Sequence, residues 1–145
     1  MTAFSEIDWS LVLWHLNHLA VAYVLALPIG WDREKNARSA GLRTFPLVSM
    51  ASCAYMLMGI QVLDSTGAEA RVMYGLITGM GFIGGGAILK EKGSVGGTAT
   101  AASLWNTGAI GIAVAWNRYE IAILLSALNV VTLQLLGGLK AFTTK

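Results

Sequence analysis

The residues that could do chemistry are concentrated in the run Asp32-Arg33-Glu34-Lys35. Asp32 and Glu34 are carboxylates two residues apart, and oxygen ligands suit a hard cation such as Mg²⁺. The same run could instead be a solvated loop whose exposed ion pairs contribute little to stability. Arg43, which could pair with Glu34, precedes the next apolar stretch. The candidate ion- or partner-binding residues are therefore Asp32, Arg33, Glu34, Arg43 and Thr44, with Asp32 and Glu34 as candidate metal ligands.

Other reactive side chains are few. His15 and His18 are three residues apart and would share a helix face, but no third metal ligand is nearby. The single cysteine, Cys53, cannot form an intramolecular disulfide. No catalytic triad, zinc hydrolase motif or paired general acid and base is visible. The sequence predicts a protein that is not an enzyme, without catalytic residues and without a cofactor, unless Mg²⁺ binds at Asp32 and Glu34.

The elements that position these residues are long apolar segments. The chain has 145 residues and is 55% hydrophobic but only 12% charged, with the charges in short clusters. Soluble domains rarely show this pattern. A hydrocarbon core about 30 Å thick requires roughly 20 helical residues, so the chain can hold about five spans. We expect them at residues 9–31, 44–63, 72–89, 98–116 and 121–139.

The predicted fold class is all-α, a polytopic transmembrane helix bundle that forms a single domain over residues 1–145. An alternative has four spans, with the third and fourth segments as re-entrant halves, because both are rich in glycine and other small residues. A soluble helical bundle is disfavoured because the continuous apolar runs leave no polar face for water.

Basic residues predict the orientation, since lysine and arginine beside a span are retained in the cytoplasm. Eight of the ten would lie on one side: Arg33, Lys35, Arg38, Arg43, Lys90, Lys92, Lys140 and Lys145. Arg71 and Arg118 would lie on the other side. This places the N-terminus outside and the C-terminus in the cytoplasm. Because these charges lie next to membrane segments, a nucleic-acid partner is excluded.

The third and fourth segments carry small residues at helical spacing. Glycines at positions 75 and 79 form one GxxxG pair, and those at 81 and 85 form a second pair on another face. The fourth segment repeats a small residue every four positions from Ala99 to Ala115. Such faces let helices approach closely in lipid, so we expect the two to pack together. The expected helix-packing residues are Gly75, Gly79, Gly81, Gly84, Gly86, Ser103, Trp105 and Thr107. Asn106 should face the bundle interior, because an amide in hydrocarbon needs a hydrogen-bond partner.

Two longer blocks resemble a known family. They read GWDREKNARSAGLRT and GMGFIGGGAILKEKGSVGGTATAASLWNTGAIG. Both are similar to signature blocks of the MgtC/SapB family of bacterial inner-membrane proteins, and the resemblance covers residues 30–136. The glycines of the family pattern are matched by Gly79, Gly81, Gly84 and Gly86. Asp32 stands where the family usually has glutamate, and Ala99 and Asn106 also depart from the family pattern.

The resemblance implies a function as well as a location. It implies a non-enzymatic, multi-pass regulatory protein of the bacterial inner membrane, linked to Mg²⁺ limitation and to virulence through survival inside host cells. Its partners would be the lipid bilayer, a second copy in a homodimer, and a membrane protein such as the ATP synthase. The resemblance is expected to cover the membrane domain only, without the soluble C-terminal domain of the best-known members. The alternative function is a transporter or channel for Mg²⁺ or another cation, working as a homo-oligomer.

Overall fold

A computed structural model describes residues 7–36, 40–91 and 94–143 of the chain. The helices are α1 (Trp9–Asn36), α2 (Thr44–Val62), α3 (Thr66–Gly86), α4 (Thr98–Ala115) and α5 (Tyr119–Thr143). Two short strands, β1 (Leu89–Glu91) and β2 (Ser94–Gly96), pair antiparallel between α3 and α4. These elements confirm the predicted all-α helix bundle, to which the described residues add one short β-hairpin.

Local signals set the helix ends. Ser65 caps α3, because its side chain accepts a hydrogen bond from the N–H of Ala68 at 3.2 Å. The helix therefore begins six residues before its apolar part. The turn into α4 passes through Gly97, whose φ is 83°. A Cβ at this position would collide with the carbonyl oxygen of Ala87, so the tight turn requires glycine.

Helix α4 lies at the centre of the bundle and packs against all four other helices. Its buried side chains include Leu104, Ile110 and Val114, which share one hydrophobic core with Phe45 and Met56 of α2. Because four neighbours screen α4 from lipid, it tolerates buried polar side chains. Together the described helices form one core rather than separate packing units.

Among the described residues, three helices are long and apolar enough to cross a membrane: α1, α2 and the Tyr119–Gly137 part of α5. Helices α3 and α4 are less apolar, since α3 is rich in glycine and α4 carries polar residues such as Asn106 and Thr107. Each is nevertheless continuous, with 21 and 18 residues. These correspond to roughly 32 and 27 Å, close to a hydrocarbon thickness of about 30 Å. The half-helices of the re-entrant alternative are not what the structure shows.

The outer surface is apolar, as expected of a membrane protein. Large side chains on the outer helices point away from the core, among them Leu13, Leu16, Phe82, Leu124 and Leu135. A soluble monomer rarely exposes so much contiguous apolar surface. Successive helices run in opposite directions, so the basic residues at the α1–α2 connection lie at the opposite end from Arg71 and Arg118. The orientation in the membrane stays a prediction, and three residues that it uses lie outside the described ranges: Arg38, Lys92 and Lys145.

Candidate functional site

A polar cavity of about 810 Å³ opens at the end of the bundle where α1 ends and α4 begins. The second half of α5 forms its remaining wall. The polar side chains that line it are Asp32, Arg33, Asn36, Thr132 and Gln134. Of the five candidate binding residues, the structure brings Asp32 and Arg33 to this cavity.

Asp32 and Arg33 form a buried ion pair, with 7% and 9% of their surfaces exposed. Both Nε and Nη2 of Arg33 donate to Oδ2 of Asp32, the first at 3.0 Å. The side-chain amide of Asn36 donates to the carbonyl oxygen of Asp32 at 3.0 Å and to its Oδ1 at 3.3 Å. Buried charges are tolerated when they are paired and hydrogen-bonded in this way. The Asp32 carboxylate is therefore already neutralised by its own neighbours.

Glu34 lies away from this cavity. Its Oε2 accepts a hydrogen bond from the backbone N–H of Leu42 at 3.0 Å, which ties the end of α1 to the start of α2. A Cβ at Gly41 would collide with the Glu34 carboxyl, so the loop passes closely over it. Helical residues two apart point about 200° away from each other, which is why Asp32 and Glu34 do not converge. Within the described ranges, no group of three or more His, Cys, Asp or Glu side chains could hold a metal ion.

Arg43 and Thr44 lie neither at the polar cavity nor at the contact of Glu34 with Leu42. Both line a cleft between α2 and α3, on the outer surface of the bundle. The expected pairing of Arg43 with Glu34 is not formed, since the ion pair found among the described residues is Arg33 with Asp32. The five candidate binding residues thus divide among the cavity, the α1–α2 connection and this cleft.

Most glycines of α3 face outward. A Cβ built at Gly75, Gly79, Gly81 or Gly86 would meet nothing within 4 Å. Gly84 is the exception, since a Cβ there would lie 3.3 Å from the carbonyl oxygen of Ala101 in α4. The expected packing of the α3 glycines against the small residues of α4 therefore occurs at Gly84 and not along the whole helix.

The small residues of α4 pack mainly against α2 and α5. A Cβ at Gly111 would lie 2.9 Å from the backbone nitrogen of Cys53 in α2. Ser103 donates to the Asn129 side chain of α5 at 2.9 Å, and the buried Thr107 donates to the Ser103 carbonyl at 2.7 Å.

The larger side chains of α4 divide between the exterior and the interior. The interior partner expected for Asn106 is confirmed, because its amide donates to the carbonyl oxygen of Leu125 at 3.2 Å. Trp105 is 55% exposed, so it is not a packing residue within the bundle. It borders an apolar pocket of about 250 Å³ between α3, α4 and α5.

Comparison with known proteins identifies the family. The sequence profile of the MgtC family matches residues 19–142. The chain belongs to the MgtC family. This range includes both blocks that carried the resemblance and all five candidate binding residues, while no solved structure matches.

Proteins similar to this chain come from several bacteria. YhiD of Escherichia coli strain K12, named as a candidate magnesium transporter, is 33% identical over 123 residues, covering 80% of this chain and 57% of YhiD. Protein SrpB of Synechococcus elongatus is 32% identical over 128 residues, covering 79% of this chain and 70% of SrpB. Protein MgtC of Brucella abortus is 36% identical over 94 residues, covering 65% of this chain and 39% of that protein. The chain thus spans about half the length of YhiD.

In this MgtC-family protein a second polar cluster lies around His18, nearer the other end of the bundle. His18 is buried, and its Nδ1 donates to the Trp14 carbonyl at 2.9 Å. Its Nε2 lies 2.9 Å from the Asn117 side-chain oxygen and 3.1 Å from the Tyr119 hydroxyl, so the ring links α1 to the α4–α5 turn. His15 instead bonds Gln61 of α2 at 2.9 Å. The two histidines therefore bind different partners and do not form one site. The polar turn that begins at Asn117 was the feature of the sequence that could have indicated a partner for His18.

Proposed function

We propose that this protein is a non-enzymatic regulator of the bacterial inner membrane that acts by helix packing, with a second copy of itself or with a membrane partner such as the ATP synthase. Following the family resemblance, its role lies in adaptation to Mg²⁺ limitation and in survival inside host cells. The observation that supports helix packing as the mechanism is the outward face of α3.

This face combines Tyr74, Thr78, Gly81 and Gly85. The two glycines are four residues apart and lie on one side of the helix, and a Cβ at either would meet nothing within 4 Å. The Thr78 hydroxyl donates to the Tyr74 carbonyl at 2.9 Å, so its hydrogen is already satisfied within the helix. Each glycine costs about 1 kcal/mol of helix propensity relative to alanine. Close contact with another helix would offset that cost, whereas contact with lipid would not.

A second copy is the simplest partner for this face. Two α3 helices crossing at Gly81 and Gly85 would form a self-complementary interface, as two-fold symmetry requires. Gly84 supports such close approach, because within one chain the same helix already brings a glycine against the backbone of α4.

The test is self-association in membranes. Gly81→Leu should reduce the dimer fraction measured by energy transfer between labelled copies in vesicles, because the new side chain prevents close approach. The matched control is Gly79→Leu, which makes the same change about 200° around the same helix and should leave the dimer intact. If Gly81→Leu dimerises normally, the same pair of variants is tested for co-purification with the ATP synthase from inner membranes. Retention of both interactions would refute the proposal.

A second candidate function is transport of Mg²⁺ or another cation by a homo-oligomer. The observations that favour it are the polar cavity containing Asp32 and the name of the relative YhiD. Mg²⁺ uptake into sealed proteoliposomes tests it, and Asp32→Ala should abolish that uptake. Asp64→Ala, which removes an exposed carboxylate at the opposite end, is the control. Vesicles that stay tight to Mg²⁺ would eliminate transport.

A further inference from the structure

A cleft of about 660 Å³ runs along the outer surface of the bundle between α2 and α3. Its walls are apolar and include Leu47, Ala51 and Tyr55 of α2 and Gly75, Gly79 and Ile83 of α3. Ser52 also lines the cleft, but its hydroxyl is satisfied by the Val48 carbonyl at 2.8 Å. The walls therefore offer a hydrocarbon surface rather than a polar one.

The size of the cleft suits a single hydrocarbon chain. From Thr44 to Tyr55 the α2 wall rises roughly 16 Å, about half of a 30 Å hydrocarbon core and thus the depth of one leaflet. Dividing 660 Å³ by that length gives a mean cross-section of about 40 Å². Gly75 and Gly79 provide this width, because a side chain at either would project into open space.

One end of the cleft is basic. Arg43 lines it there, immediately before the first residue of α2, and its side chain is exposed. Among the described residues Arg43 has no ion-pair partner, and no carboxylate lines the cleft. A guanidinium group matches the geometry of a phosphate with two parallel hydrogen bonds. The Arg43 guanidinium thus lies where the phosphate of a lipid would be if its acyl chain filled the apolar part of the cleft.

We propose that the α2–α3 cleft is a binding site for a glycerophospholipid, with one acyl chain between the helices and the phosphate at Arg43. The apolar walls, the length of one leaflet and the unpaired cation at one end support this occupant. The site is distinct from the face of Gly81 and Gly85, which lie about 200° and 240° around α3 from Gly79.

Photolabelling tests this site in the intact protein. The protein is placed in vesicles of phosphatidylethanolamine and phosphatidylglycerol that contain a trace of phosphatidylglycerol with a diazirine in its acyl chain, and labelled peptides are mapped after illumination. Labels should concentrate at residues 47–55 and 75–83. Gly79→Leu should remove most of this labelling because it fills the cleft, whereas Gly81→Leu should not. Gly75→Leu serves as a second cleft variant if Gly79→Leu does not fold, as judged by circular dichroism.

The charge is tested separately. Arg43→Gln should lower labelling of the cleft roughly fivefold, the effect expected of one basic residue at a membrane surface. Arg71→Gln, which removes a basic residue at the opposite end, should leave it unchanged. Labels spread evenly over all exposed helices, or cleft labelling that survives both cleft variants, would overturn the proposal. So would an unlabelled cleft that is cross-linked to a second copy, since a protein would then be its occupant.

Discussion

Replacing Gly111 with alanine tests the contact on which the centre of the bundle depends. Gly111 lies where α4 crosses α2, and a Cβ there would be 2.9 Å from the Cys53 nitrogen and closer still to the Ser49 carbonyl oxygen. Both are backbone atoms of α2, so no side-chain rotation can relieve the overlap. The two helices would have to separate by about 1 Å at a packed crossing.

The expected loss of unfolding free energy in Gly111→Ala is the difference between two opposing effects. Overpacking a well-packed core costs about 1–3 kcal/mol, and a clash between backbones belongs at the upper end. Alanine recovers about 1 kcal/mol of helix propensity relative to glycine. Gly111→Ala should therefore lower the free energy of unfolding by about 2 kcal/mol. The control is Gly108→Ala, one turn earlier, where the new Cβ would meet the flexible end of the Met80 side chain, which can move.

Both variants would be unfolded from the same detergent micelles with increasing sodium dodecyl sulfate, and helicity followed by circular dichroism. Gly108→Ala should unfold close to the unsubstituted protein and Gly111→Ala well before it. If Gly111→Ala is as stable as Gly108→Ala, then α2 and α4 are not in backbone contact and the central position of α4 is wrong.

Three further substitutions test other contacts. Arg33→Met leaves the buried Asp32 unpaired and should cost roughly 3–5 kcal/mol of unfolding free energy in the same assay. Ser126→Ala removes a 2.6 Å hydrogen bond from α5 to the α1 backbone and should cost about 1 kcal/mol. Hydrogen bonding by the Ser10 side chain, with backbone hydrogen bonds, lowers the pKa of the Asp8 carboxyl. The ionised Asp8 carboxylate therefore stabilises the start of α1. This stabilisation is fully present above the unfolded-state pKa of about 4 and is lost as pH falls through the lower folded-state pKa. Hydrogen exchange of the first turn should show this loss, and Asp8→Asn should abolish it.

The sequence predicted the presence of each helix better than its ends. The apolar length of α1 suggested an end near Trp31, but the helix continues to Asn36. Charges were taken as the sign of a loop, whereas the pairing of Asp32 with Arg33 allows both to be buried in a helix. Likewise α3 begins at Thr66, before its apolar residues, because Ser65 caps it. A hydropathy pattern locates the apolar part of a helix but not its ends, and α1 and α3 extend beyond their apolar parts.

The arrangement of the candidate site was harder to predict, because it depends on whether the run after Trp31 is a loop or a helix. In a loop, Asp32 and Glu34 could converge on one ion. In the continuous helix they point about 200° apart, toward the cavity and toward Leu42. Spacing alone does not choose between these conformations.

Small-residue faces were also hard to interpret from spacing alone, because the spacing does not say which helix packs against them. The helix that does so matters for function. The spacing in α4 indicates that some helix approaches closely, but any neighbour with a complementary surface would satisfy it. The structure assigns α2, through the contact of Gly111 with the Ser49 and Cys53 backbone. Because the small residues of α4 already pack against other helices of the bundle, the glycines of α3 have few helices to pack against within the chain. Whatever offsets their conformational cost must then come from outside one chain, which is why the outward faces of α3 are where a partner helix and a lipid should be sought.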